Sequence, residues 1–277
     1  MLQLRNDRAC SFAIAPLLLV AAGGRQFPVR AGDNQPATPI SPDGVGPREI
    51  WFGADAGLNN WLVYTGGTYA PWSDIHADGF RLRSTAGYGS FSYSFDAKTK
   101  VRATKNYSDV LAGYQQRFGE LTAKAFIGYA ILNQQFEVPA SSFRAAKLDS
   151  GLKGAVELWL NLGPTAWTSL DMSYADTRQS SSIRSRTGYR VLPTVSAGVE
   201  AIFNHSDLSG LVQSSAAVRL EGNTRIGGFL RYEWFGGEIS ASGGLSGDWI
   251  EKQGKQGGTD LLHASELYGT LNWITQY

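Results

Sequence analysis

The sequence is poor in cysteine, in charge and in long apolar segments. One cysteine in 277 residues excludes a disulfide framework and a cysteine-based zinc site. Charged residues make up 18% of the chain and the formal net charge is +1, so no basic stripe is available for phosphate and no nucleic-acid partner is expected. Outside the N-terminal region no apolar run reaches the ~20 residues of a transmembrane helix. A helical membrane protein is therefore not expected.

Glycine and aromatic residues are abundant instead. The chain has 33 glycines, about 12% where about 7% is usual, together with 13 Phe, 12 Tyr and 8 Trp. Glycine serves turns and close backbone approaches, and aromatic residues favour strands. The two excesses together favour β-structure.

Residues 1–31 have the features of a secretory signal peptide. Two arginines precede an apolar run at residues 10–22, which is shorter than a stable membrane anchor. Cleavage is predicted after Ala22 or after Ala31, since small residues precede both bonds. Either cleavage removes Cys10 and leaves a mature chain without cysteine, which suits an oxidising periplasm. The alternative is an uncleaved anchor or a wrongly assigned start.

Residues 32–47 are rich in Pro, Gly, Asp and Asn and are predicted to be a flexible linker. From there to the end, residues 48–277, apolar and polar or small residues alternate with period two, as in strands with one apolar face. The pattern gives about twelve candidate strands, at 49–58, 61–70, 79–93, 107–118, 121–133, 151–162, 166–175, 182–190, 194–203, 224–234, 237–246 and 267–277.

Two all-β folds produce this alternation, a soluble sandwich and an outer-membrane barrel. The polar phase is small and glycine-rich, aromatic residues stand near segment ends, and the last strand finishes on Tyr277. These features favour an antiparallel transmembrane β-barrel located in the outer membrane after export through the periplasm. Ten to fourteen strands remain possible, because 205–222 could hold an added hairpin.

The lengths of the connections support the same fold. Short and long joins mostly alternate along the chain, as turns and loops do on the two sides of an outer-membrane barrel. Two joins depart from the rule: residues 59–60 are tight where a long loop is due, and residues 71–78 are long where a short turn is due.

Several motifs of the predicted barrel resemble the cellulose biosynthesis protein BcsS family of alphaproteobacteria, over roughly residues 48–277. The motifs are Gly66-Gly67-Thr68-Tyr69-Ala70-Pro71, Asp78-Gly79-Phe80-Arg81-Leu82-Arg83, Gly87-Tyr88-Gly89, Gly198-Val199-Glu200-Ala201 and Ser240-Ala241-Ser242-Gly243-Gly244. The resemblance implies an outer-membrane component of a cellulose synthesis and secretion system. Its expected partners are membrane lipid, cellulose and other components of the cellulose synthase complex. A general small-solute porin or a surface adhesin is the alternative function.

Catalytic and metal-binding patterns are not evident. The three histidines are His76, His205 and His263, and none has a metal-ligand spacing. His205-Ser206-Asp207 has the residue types of a catalytic triad, but adjacent residues cannot usually orient one another in that way. We therefore expect a protein without enzymatic activity, metal or cofactor.

The polar phase of the strands is the best place to look for a binding site. It projects ten basic and six acidic residues into the predicted lumen, and paired charges that fill a narrow barrel are the simpler interpretation. The alternative is a glucan path or groove, in which aromatic faces stack on sugar rings while charged groups bind hydroxyls. The candidate glucan-contacting residues are Trp51, Trp159, Trp167, Phe126, Arg81, Arg83 and Glu200.

Overall fold

The computed structural model describes residues 46–94, 100–137, 144–205, 224–247 and 266–277. The predicted signal peptide, all but the last two residues of the predicted linker, and nearly all of the 205–222 region lie outside these ranges. The described residues form twelve antiparallel strands that close into one barrel.

Each strand pairs with its neighbour in sequence, and β1 pairs with β12 to close the sheet. The strands are β1 (Arg48–Gly57), β2 (Asn60–Tyr69), β3 (Gly79–Ser94), β4 (Lys100–Phe118), β5 (Leu121–Glu137), β6 (Arg144–Leu162), β7 (Ala166–Ala175), β8 (Ser180–Leu192), β9 (Val195–His205), β10 (Thr224–Trp234), β11 (Gly237–Gly247) and β12 (Glu266–Gln276). The predicted all-β barrel of about twelve strands is confirmed, and a two-sheet sandwich is excluded.

The side chains alternate between an apolar outer surface and a polar lumen, as the period of two predicted. On β3, Leu82 is 50% exposed on the outside whereas Arg81 is 1% exposed on the inside. Among the described strand side chains, charges on the outer phase occur only near strand ends, at Arg48, Arg102, Glu137 and Arg144. An Arg or Lys on the lipid face at mid-depth costs ~2–4 kcal/mol, which accounts for this distribution.

The apolar outer surface has the height of an outer-membrane hydrocarbon layer. On β5 it runs from Leu121 to Ile131. Ten residue steps at ~3.3 Å, on a strand tilted by about 40°, correspond to roughly 25 Å along the barrel axis. No helix in the described ranges is long and apolar enough to cross a membrane. The closed barrel, with its apolar outer surface, lies in the outer membrane with its strands as the spanning elements.

Four strands are longer than the rest and continue past the apolar surface. Strands β3 to β6 have 16, 19, 17 and 19 residues, whereas the others have 10 to 13. Both β4 and β6 begin seven residues earlier than predicted, at 100 and 144. The outer phase of these extensions is polar, as at Thr104 and Asn106. The inner phase holds a small apolar cluster of Val101, Ala103 and Phe136.

The abundance of glycine and aromatic residues has a common structural cause. Inside the barrel, aromatic rings lie directly against glycines of the adjacent strand, where an added Cβ would collide with the ring. The pairs are Trp51 with Gly66, Tyr64 with Gly53, Tyr107 with Gly87, Phe126 with Gly113, Trp167 with Gly188, and Phe229 with Gly198. The lumen can hold large rings because the wall beside each ring has no side chain.

Candidate functional site

A cavity of about 420 Å³, lined by both polar and apolar side chains, lies in the lumen. This volume falls within the ~300–1,000 Å³ of small-molecule sites. Its wall includes Trp51, Arg83, Phe126, Asp171 and Arg186. Because every second side chain of a strand points inward, residues from many strands contribute to this lining.

One side of the cavity is built around Arg83. Its guanidinium carbon lies 4.9 Å from the ring centre of Trp51 and 5.2 Å from that of Phe126. Arg83 also forms an ion pair with Glu157, whose other oxygen lies 4.0 Å from the ammonium of Lys124. Because both aromatic rings have Arg83 on one side and a glycine of the wall against them, they act here as packing partners of a buried cation.

Below the cavity, three aromatic rings form what we call the floor stack: Trp159, Trp167 and Phe229. The two indoles are stacked with ring centres 4.3 Å apart, and Phe229 lies 5.4 Å from Trp167. Trp167 is fully buried, and its indole donates a hydrogen bond of 3.3 Å to the hydroxyl of Ser196. The floor stack fills the lumen near the end where β6 finishes and β7 begins.

A buried ion cluster completes the floor stack. The guanidinium carbon of Arg231 lies 4.9 Å and 5.1 Å from the rings of Trp159 and Trp167, and the group forms ion pairs with Glu233 and Glu238. All three charged side chains are 4% exposed or less. The floor stack lies at the level of the short turns between strands. Short turns of outer-membrane barrels face the periplasm, so the floor stack lies at the periplasmic end.

At the same end of the barrel, the β2–β3 connection folds against inward side chains, and we call it the periplasmic strap (residues 70–78). Arg81 donates hydrogen bonds to strap carbonyls, including that of Ile75 at 3.0 Å. The Gln115 amide donates to the Ala77 carbonyl at 3.1 Å. The amide of Gly46 donates to the Asp74 carboxylate at 2.9 Å. The join that was too long for a short turn is thus folded against the barrel.

Around the cavity, ion pairs and hydrogen bonds join inward side chains of different strands. The Arg184 guanidinium lies 2.8 Å from a carboxylate oxygen of Glu200, whose other oxygen accepts a 3.0 Å hydrogen bond from the Tyr268 hydroxyl. Lys153 on β6 lies 2.5 Å from Asp109 on β4, the next strand but one along the sheet. Paired charges therefore fill much of the lumen, as the simpler interpretation of the sequence predicted.

Two charged side chains of the cavity wall differ from the others. Asp171 on β7 and Arg186 on β8 form no hydrogen bond or ion pair with another side chain in the described ranges, and both are half-buried. The guanidinium of Arg186 lies 6.0 Å from the ring of Trp167 and 5.8 Å from that of Phe229. Both residues belong to the lining of the cavity.

The seven candidate residues do not all meet at one place. Trp51, Phe126, Arg83 and Trp159 line the cavity. The other three lie outside its lining, because Arg81 binds the periplasmic strap, Trp167 is buried in the floor stack and Glu200 is held in an ion pair.

Sequence reasoning missed the inward tyrosines Tyr64 and Tyr107. Around Tyr64 both phases of the strand are apolar, from Trp61 to Val63, so the alternation did not indicate a side. A tyrosine that faces a glycine on the next strand is the signal that would have placed it. No group of three potential metal ligands occurs in the ranges that the structure describes.

Comparison with solved structures returns outer-membrane proteins of low sequence identity. A KdgM porin in complex with disordered oligogalacturonate has a TM-score of 0.46 at 10% identity and covers 83% of this chain and 99% of its own. The transport unit of the autotransporter AIDA-I from Escherichia coli also has 0.46, at 14% identity, with 83% and 89% covered. Omp33 from Acinetobacter baumannii has 0.40 at 11% identity, with 85% and 100% covered.

Comparison with curated proteins finds no match. A family model, in contrast, covers nearly the whole barrel. The model is that of cellulose biosynthesis protein BcsS, and it matches residues 50–272, from the third residue of β1 through most of β12. The motifs quoted from the sequence all lie within this match. The chain therefore belongs to the cellulose biosynthesis protein BcsS family.

Proposed function

We propose that the protein is a non-enzymatic outer-membrane component of a cellulose biosynthesis and secretion system, which supports export of the glucan or its attachment at the cell surface. Membership of the BcsS family on a closed membrane barrel is the observation that carries the proposal. The expected partners are outer-membrane lipid, cellulose and other components of the cellulose synthase complex.

Between these two roles, the filled periplasmic end of the lumen favours attachment. A glucan chain that passed through this barrel would have to displace the floor stack and the ion cluster of Arg231, Glu233 and Glu238. Removing one partner of a buried ion pair costs about 3–5 kcal/mol. A chain held from the outer side requires no such displacement.

The same feature weighs against the alternative function of a general small-solute porin. A porin of this type has a water-filled lumen, whereas here Trp167 and Arg231 are 2% exposed or less. A surface adhesin remains compatible with a filled lumen, and a cellulose phenotype distinguishes it from the proposed function.

The test is deletion of the gene, followed by measurement of cell-associated cellulose, released cellulose and synthase activity in isolated membranes. We expect synthase activity to persist while cellulose moves from the cell-associated to the released fraction. Loss of synthase activity would indicate a role in synthesis. Unchanged cellulose in all three measurements would contradict the proposed function and favour the adhesin.

A further inference from the structure

Three polar side chains on the β7–β8 pair form a cluster that the rest of the lumen leaves unsatisfied. Ser169 lies directly opposite Arg186 in the β7–β8 register, and Asp171 follows Ser169 on the same face of β7. The Ser169 hydroxyl and the Arg186 Nε are buried without a hydrogen-bond partner in the described ranges. A hydroxyl, a carboxylate and a guanidinium thus meet at one edge of the cavity.

The other charged groups of the cavity wall provide the contrast that makes this cluster informative. Each of the other charged groups in the lining has a partner: Arg83 and Lys124 with Glu157, Lys153 with Asp109, Arg184 with Glu200, Glu238 with Arg231 and Glu49 with Gln276. Buried polar groups without partners cost free energy, so a native structure that keeps several together indicates an occupant or a function.

The chemistry of the cluster selects the class of ligand. Asp171 only accepts hydrogen bonds and Arg186 only donates them, whereas each ligand hydroxyl can do both. A ligand with adjacent hydroxyls therefore satisfies both side chains at once. An anionic ligand would gain from Arg186 but would be placed beside the Asp171 carboxylate, and a cationic ligand would meet the opposite conflict.

We propose that Ser169, Asp171 and Arg186 form a binding site for the end of a neutral, hydroxyl-rich sugar, namely a short β-glucan. The cavity of about 420 Å³ limits the bound part to about one or two sugar rings. Trp159 lies in the same lining and supplies an apolar surface at its base. Because the periplasmic end is filled, the sugar enters from the opposite mouth. This site rests on the proposed function, since it names the glucan as its ligand.

The proposal is tested by calorimetric titration of the folded full barrel in detergent with cellobiose and cellotetraose. We expect saturable binding by the wild type and a loss of affinity of about tenfold or more in Asp171→Asn and in Arg186→Gln. The matched controls are Glu137→Gln and Arg144→Gln, which make the same chemical changes in an exposed ion pair on the outer surface. These two variants should bind like the wild type.

Ser169→Ala keeps the test decisive if the charge variants do not fold, because it removes a hydroxyl that has no partner in the described ranges. It should retain heat-modifiable gel migration and bind cellobiose several-fold more weakly. Binding of digalacturonate in preference to cellobiose would overturn the neutral-sugar assignment. Wild-type affinity in Ser169→Ala, or no binding of either sugar by the wild type, would overturn the site.

The outcome for the site can be separated from that for the proposed function. If deletion of the gene changes cellulose retention but cells carrying Asp171→Asn or Ser169→Ala retain cellulose normally, the proposed function stands and the site is wrong. If deletion changes nothing while cellobiose binding is lost in the variants, the site stands and the proposed function is wrong.

Discussion

At the scale of single residues, the lumen is organised by pairs of an aromatic ring and a glycine. Trp167 and Gly188 are the clearest pair, since an added Cβ on Gly188 would lie 2.6 Å from an indole carbon. The ring cannot retreat, because Trp159 stacks on it and its exposed fraction is zero. A methyl group added at Gly188 would therefore displace the rings of the floor stack.

We expect Gly188→Ala to destabilise the barrel by about 1–3 kcal/mol, the usual cost of overpacking. The matched control is Gly269→Ala, where the nearest atom to an added Cβ is 3.9 Å away, at ordinary contact distance. Urea unfolding of the barrel in detergent, followed by tryptophan fluorescence, measures both changes. Equal stability of the two variants would contradict the packing account.

Residue-scale patterns were also where sequence reasoning was strongest and where it failed. The inward phase of Arg83, Glu157 and Arg186 follows from alternation alone, because a charge on the lipid phase is costly. What alternation cannot give is the partner of a charge. Arg81 has the same phase as Arg83, yet it binds the periplasmic strap and not the cavity, because the connection of residues 70–78 folds back onto it.

At the scale of elements, the periplasmic strap is a connection with its own fixed structure. Ile75 is 2% exposed, its amide donates a 2.9 Å hydrogen bond to the Gly46 carbonyl, and its own carbonyl accepts from Arg81. The Arg81 guanidinium donates hydrogen bonds to several carbonyls of the strap. These bonds hold in place a segment that is not paired with any strand. The strap should therefore loosen when that one side chain is replaced.

The strap can be probed with introduced cysteines, since the only native cysteine, Cys10, lies in the predicted signal peptide. We expect Ile75→Cys to resist maleimide labelling in the wild-type background and to react at least tenfold faster when combined with Arg81→Gln. Trp72→Cys, at a position that is 80% exposed, should react quickly in both backgrounds. Fast labelling of Ile75→Cys without the second substitution would show that the strap is not fixed.

The elements also show why strand ends were harder to predict than strand number. The starts of β4 and β6 were placed seven residues too late, because Thr104, Asn106 and Lys147 interrupt the apolar–polar contrast. Alternation marks a strand only where one face meets lipid. Past the apolar surface both faces can be polar, so the sequence signal fades while the hydrogen-bonded ladder continues.

At the scale of the whole molecule, the barrel has a wall of ordinary membrane type around a lumen that is filled at one end. The floor stack, the Arg231 cluster and the strap together occupy the periplasmic side. We therefore expect the barrel to be a chamber with a closed base, in which ion flow requires a change in that base.

Conductance measurements in planar bilayers test this description. We expect the wild type to pass much less current than an open porin, and Trp159→Ala combined with Trp167→Ala to raise the current several-fold. Trp61→Ala is the control, because Trp61 is 43% exposed on the outer surface. Heat-modifiable migration verifies that each variant is folded. A wild-type current like that of an open porin would contradict the closed base.

The seam between β1 and β12 has a consequence for how the molecule assembles. It is the one sheet pairing between strands at opposite ends of the described chain, and nine residue pairs form it. Every other strand can find its neighbour early, whereas the seam must wait for the last strand. Inside the barrel, Asn272 binds Tyr64, Thr270 binds Asp55 and Gln276 binds Glu49 at 2.7 Å, so side chains of β12 reach β1 and β2. The polar side chains of the lumen thus also stabilise the closed barrel, and they can do so only after the final strand has paired.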